Sequence, residues 1–183
     1  MSDWQPFSAD GHAATWASRD GRHTETLTLR WENEAWTATG QLARERVEYV
    51  LRLSPTWRVR QFLLFRDLEQ PDLWLGTDGH SRWGEVNGAH RPELDGCDDL
   101  ELPTSAFMPT VPLRRLPLAI GDSAEVAVVT VDVDTLAVVP AARRYRRIGD
   151  RRWRRWRSED GGEDEFNVDA HGLVVDEPDH HRI

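Results

Sequence analysis

Three carboxylates crowd the five positions Asp95-Gly96-Cys97-Asp98-Asp99. If they converged, they could hold a cation or exchange a proton. On a strand, however, Asp98 and Asp99 point to opposite faces. The spacing also misses the calcium-loop pattern, which sets ligands at alternating positions with a distant bidentate acid. The reading that suits the local chemistry is a structural turn at Asp95, Gly96 and Cys97, in which Asp95 accepts backbone amides and Gly96 permits the bend; a site made from the acids is the alternative. Cys97 is the only cysteine, so neither an internal disulfide nor a thiol cluster for zinc can form. A lone cysteine is more often a small buried hydrophobe than a nucleophile, and no histidine–asparagine partner can be assigned to it. Histidines at 12, 23, 80, 90, 171, 180 and 181 lack zinc spacing. No metal and no cofactor is expected.

Arg114 and Arg115 follow a run of prolines and precede Leu116-Pro117, so a stiff backbone could present a guanidinium in a fixed direction. That planar fork suits a carboxylate or phosphate headgroup. The alternative is an ion pair with Glu101 or with Asp98 and Asp99. Nine further arginines lie between Arg143 and Arg157, interleaved with Tyr145, Trp153 and Trp156. Such a pattern could track the phosphates of RNA or a single strand while bases stack. The acids from Glu159 to Glu165 follow at once, and a hairpin through Gly161-Gly162 would set them beside the arginines as cross-strand ion pairs. A net charge of -9 argues against a broadly nucleic-acid-binding surface. With no Ser–His–Asp elbow and no Gly-rich phosphate loop, the chain is not expected to be an enzyme.

The elements that must position these groups are strands. Leu27, Leu29 and Trp31 alternate with Thr26, Thr28, Arg30 and Glu32, and Val47, Tyr49, Leu51 and Leu53 repeat the period of two. Ser54-Pro55-Thr56 suggests a tight hairpin into Trp57–Phe65, a strand that becomes apolar on both faces. Leu73-Trp74-Leu75 continues the pattern. Pro103, Pro109, Pro112 and Pro117 predict an extended loop. Glu125–Asp134, Leu136–Val139, Phe166–Val168 and Leu173–Val175 read as further strands. A two-residue turn at Gly149-Asp150 would place Tyr145 opposite Arg154 and Arg143 opposite Trp156. Residues 1–24 read as an irregular segment of the same domain, with the β-domain proper over 25–183. No helix of organising length is expected.

Leu94-Asp95-Gly96-Cys97-Asp98-Asp99-Leu100-Glu101-Leu102 followed by Pro112-Leu113-Arg114-Arg115-Leu116 resembles the signature of the bacterial putative glycolipid-binding family. Trp57-Arg58-Val59-Arg60, Trp83-Gly84-Glu85-Val86-Asn87-Gly88 and Asp169–Asp176 are similar to its other strand starts and turns. The resemblance implies an all-β, mainly antiparallel, closed or half-open barrel of two similar halves, related in shape to bacterial lipoprotein-carrier barrels and holding a lipid or glycolipid. Trp57, Phe62, Leu64 and Trp74 are then the expected cavity lining, with Arg114 or Arg115 at its mouth. A protein-interaction module without ligand is the remaining alternative. No apolar run approaches the roughly 18–20 residues of a membrane helix, and the amino terminus carries neither a basic nor an apolar signal region. A cytoplasmic protein is expected.

Overall fold

The computed structural model describes residues 4–43, 46–67 and 69–183. Its strands are β1 (His12–Ser18), β2 (Thr24–Glu32), β3 (Ala35–Leu42), β4 (Val47–Leu53), β5 (Val59–Phe65), β6 (Leu73–Thr77), β7 (Trp83–Glu85), β8 (Asp99–Glu101), β9 (Ser123–Val131), β10 (Val138–Arg147), β11 (Arg152–Arg157), β12 (Glu163–Val168), β13 (Val174–Asp176) and β14 (His180–Arg182). They form one 14-stranded sheet in the order β7 to β1, then β14 to β8. Strands consecutive in the chain are therefore neighbours everywhere except at β7 and β8, and the two chain ends pair through β1 and β14. Every ladder is antiparallel except β8 on β9.

The expectation of an all-β, mainly antiparallel fold stands, whereas the closed barrel needs correction. Among the described residues no ladder joins β7 to β8. The two edges meet only through the turn before β8: the Gly96 amide donates to the Ser81 carbonyl at 2.8 Å, and the Trp83 indole donates to the Cys97 carbonyl at 2.9 Å. The physical reason is that the outer edge of β7 is taken by the chain's own return: Gly84 bridges to His90, the Glu85 amide donates to the Ala89 carbonyl and the Arg91 amide to the Trp83 carbonyl, each at 2.9 Å.

Three local expectations also change. His12–Ser18, inside the segment read as irregular, is a strand held between β2 and β14. Its alanines carry little intrinsic strand preference, so pairing on both edges decides its state. The Arg143–Arg157 region is a hairpin, but it turns through three residues, Gly149-Asp150-Arg151. This sets Tyr145 opposite Arg155 and Arg143 opposite Arg157. That one-residue slip leaves Tyr145 and Trp153 in the core.

The third change matters most. The proline-rich stretch is no surface loop, because residues 105–113 are all buried. Ala106, Phe107, Met108 and Val111 pack with Leu27, Leu51, Phe62 and Leu64 in the larger core cluster, and Leu113 joins a second cluster with Tyr145, Trp153 and Phe166. Prolines forbid a regular strand here, and the chain closes one short helix instead, α1 (Thr110–Arg115). This inner segment packs against the buried face of the sheet.

Candidate functional site

The inner segment reaches two opposite rims of the sheet, and each rim meets it with a different chemistry. At one end stands Arg114, the fifth residue of α1. Its guanidinium carbon lies 4.5 Å from the ring centre of Phe7 and 4.5 Å from that of Trp57. It donates to the carbonyls of Gln5, at 3.3 Å, and of His171. Among the described residues no carboxylate comes within ion-pair distance of it, and its Nε–H is buried without a partner. Burial lowers its pKa to about 10, against a raising influence of Asp169, so it remains a cation at neutral pH.

Aromatic groups surround this cation. Phe7 stacks on His171 at 5.0 Å and lies 4.9 Å from His12, edge-on. Trp57 lies 6.1 Å from Trp36, which in turn meets Trp31 edge-on at 5.2 Å. A continuous path of rings therefore leads from Arg114 outward to Trp31, which is 37% exposed. Trp57 holds its place at a cost. It sits at φ 64°, a left-handed conformation that a bulky side chain rarely adopts, worth about 1–3 kcal/mol of strain. The Ser54-Pro55-Thr56-Trp57 turn enforces it: the Trp57 amide donates to the Ser54 carbonyl at 3.0 Å, and Ser54 Oγ accepts the amides of Thr56 and Arg58. Burial among Phe7, Trp36 and Arg114 offsets the strain.

The other expected site residues lie elsewhere. Arg115 is paired with Asp99 at 2.5 Å, and that acid is 1% exposed. Burial, partly offset by Arg115, raises Asp99 to about 6. Phe62 and Leu64 are fully buried against the inner segment. Trp74 pairs across the strands with Leu63, while Phe62 pairs with Leu75; successive side chains on a strand face opposite ways, so Trp74 is on the outer face. The four residues expected to line one cavity thus occupy a rim, the core and the outside. Asp95 accepts the Trp83 amide at 3.1 Å and faces His90 at 2.8 Å, Gly96 adopts φ 87°, and Cys97 is buried, its thiol pushed up to about 11.

Sequence reasoning missed the opposite rim. There Glu25, 1% exposed, accepts the Tyr49 hydroxyl at 2.7 Å, the Ser105 hydroxyl at 2.5 Å and the Ala106 amide at 2.6 Å. Burial raises its pKa, with the three donors opposing. A signal existed: Glu25 shares the parity of Leu27 and Leu29, the buried face of β2. No comparable signal marks Phe7, His12, Trp36 or His171; the β1–β3 ladders bring Trp36 to Phe7, and the pairing of β1 with β14 brings His171 to them.

A family profile described as "Putative glycolipid-binding" matches residues 13–182. The chain belongs to this family. A solved structure of a DUF1089 family protein from Pseudomonas aeruginosa is similar over 96% of this chain and 92% of its own, at 25% identity and a TM-score of 0.69. No curated protein matches the chain. The family match includes Trp57, Arg114, His171 and Glu25, while Phe7 and His12 precede it. No helix among the described residues is long and apolar enough to cross a membrane.

Proposed function

We propose that the protein is a non-catalytic binding protein for an amphipathic, glycolipid-like ligand, and that Arg114 receives the ligand's anionic or strongly polar end. The observation that carries this reading is the contrast between adjacent arginines: Arg115 is neutralised by Asp99, whereas Arg114 keeps its charge between two aromatic faces with no acid beside it. A desolvated guanidinium favours a partner that supplies negative charge, and the Trp57–Trp36–Trp31 path supplies apolar surface for the adjoining part of the ligand. Because residues 105–113 occupy the interior, that apolar part lies along the rim. The continuous strand order, with its two edges bridged just before β8, supports a half-open container as the frame for such a rim.

The charge balance of the Arg143–Arg157 hairpin argues against the nucleic-acid reading. Eight of its nine arginines, all except Arg146, have an acid within ion-pair distance. Arg144 also covers Trp156, at 5.2 Å. Little uncompensated charge is left to release counterions from a phosphate chain.

Displacement of a fluorescent fatty-acid probe tests the proposal. Arg114→Ala should weaken an anionic amphiphile about tenfold or more, the loss expected for one charge-assisted contact, and a neutral detergent far less. Equal binding of the anionic probe by wild type and Arg114→Ala would remove Arg114 from the site.

A further inference from the structure

The rim that holds Glu25 also carries a pocket of about 380 Å³, at the small end of the roughly 300–1,000 Å³ typical of small-molecule sites. The β1–β2 turn, the end of β3, Pro103-Thr104 and the β13–β14 turn enclose it. The pocket lies at the far end of β1 from Arg114: Ser18, the last residue of that strand, lines it, whereas His12, the first, belongs to the aromatic rim.

The groups facing this space are mixed donors and acceptors with one apolar wall. Glu25 uses both oxygens on three donors, leaving part of its acceptor capacity open. His180 gives Nδ1 to Glu177 at 3.1 Å, so its Nε2 is uncommitted, and the buried Nδ1 of His23 has no partner. Thr24 and Thr104 add hydroxyls, and Leu42 with Pro103 supplies the apolar wall. The one arginine in the lining, Arg19, is already engaged by Asp176 and the Glu177 carbonyl. Against it stand Asp20, Glu25 and Asp179, so an anion entering the pocket would meet three carboxylates. The set suits a group that can both donate and accept many hydrogen bonds without carrying negative charge.

We infer that this pocket is a second binding site, separate from the Arg114 rim, for a neutral polyhydroxylated group such as a sugar ring. Its hydroxyls would donate to Glu25 and Asp179 and exchange hydrogen bonds with His180 and Thr104, while a carbon face of the ring would lie on Leu42 and Pro103. The assignment does not depend on the amphiphile reading, because the two sites share no residue and call for ligands of different charge.

Isothermal titration with methyl α-D-glucopyranoside, compared with its amino and uronate counterparts glucosamine and glucuronate, tests the inference. The neutral glycoside should bind with a dissociation constant of about 1 mM, and glucuronate at least tenfold more weakly. Thr104→Arg, an exposed change at the pocket mouth, should abolish binding with an unchanged melting temperature. Glu25→Gln, which keeps the shape while removing the charge, should weaken binding about tenfold, and Arg114→Ala should leave it unchanged. Three results overturn the inference: no binding by wild type, binding of glucosamine alone, which would make the pocket a patch for cations, or binding that survives Thr104→Arg. Loss of glycoside binding with retained fatty-acid binding would fail this site and leave the Arg114 rim intact; the reverse pattern would do the opposite.

Discussion

The two ends of the inner segment solve the problem of a buried charge in opposite ways. At Glu25 the charge is surrounded by donors that the fold itself provides, two hydroxyls and one amide. At Arg114 it is surrounded by ring faces and two carbonyls, and no carboxylate of the described residues lies within ion-pair distance. The first arrangement is met by the chain's own donors and anchors Ser105 and Ala106, with acceptor capacity to spare. The second carries an unpaired Nε–H, as Arg115, Arg147, Arg155 and Arg182 also do; what sets it apart from Arg115 is the lack of such a carboxylate among the described residues.

The largest effect is expected at the anchor. Glu25→Ala strands the Tyr49 and Ser105 hydroxyls and the Ala106 amide in the core, and should cost about 3–5 kcal/mol. At about 2–4 °C per kcal/mol for a chain of this size, the melting temperature should fall by roughly 10 °C. A drop of only a degree or two would mean that the inner segment is held by packing alone. Trp57→Ala comes next, at about 3 kcal/mol for the lost ring, reduced because alanine still carries the left-handed strain. Trp57→Gly should melt above Trp57→Ala, since glycine relieves that strain. If alanine is the more stable of the two, the strained turn is not a feature of the protein.

How far the sequence reveals these regions follows from where each signal resides. Period-two patterning exposed β2, β4 and β5, and the Ser54-Pro55-Thr56 hairpin was legible from its turn chemistry. The adjacent arginines were also legible as candidates, but only tertiary contacts could say that Arg115 meets Asp99 while Arg114 does not. Residues 105–113 were misread because prolines signal the absence of regular structure and say nothing about burial. The closing of β1 on β14 is a pairing across the whole chain, and with it the meeting of Phe7, His12 and His171 was invisible in local pattern.

The paired arginines sharpen the comparison further. Arg115→Ala leaves the buried Asp99 carboxylate without its cation and should destabilise by about 2–4 kcal/mol, whereas Arg114→Ala, which breaks no ion pair, should cost about 1 kcal/mol. Chemical denaturation of both variants separates these values; equal losses would contradict the asymmetry.

Smaller effects should follow pH. Burial holds Asp99 at about 6, above its usual 3.8. Its contribution to stability is therefore full below 3.8 and is lost as the pH rises through about 6. His12, lowered by burial and by His171, behaves oppositely: its contribution is present above its ordinary 6.5 and is lost as the pH falls through the lowered value. Melting curves of wild type against Asp99→Asn and His12→Gln should show differences of opposite slope, and parallel curves would refute both assignments.

The central claim is that an anionic amphiphile docks where Arg114 meets the tryptophan path. Indole N–H resonances report it directly, because the tryptophans are dispersed over the rim, the core and the outer face. On titration with a fatty acid, the signals of Trp57, Trp36 and Trp31 should shift, while those of Trp16 and Trp83, bonded inside the fold to Val174 and Cys97, stay in place. Shifts centred on Trp74, or no shift at Trp57 under saturating ligand, would contradict the account.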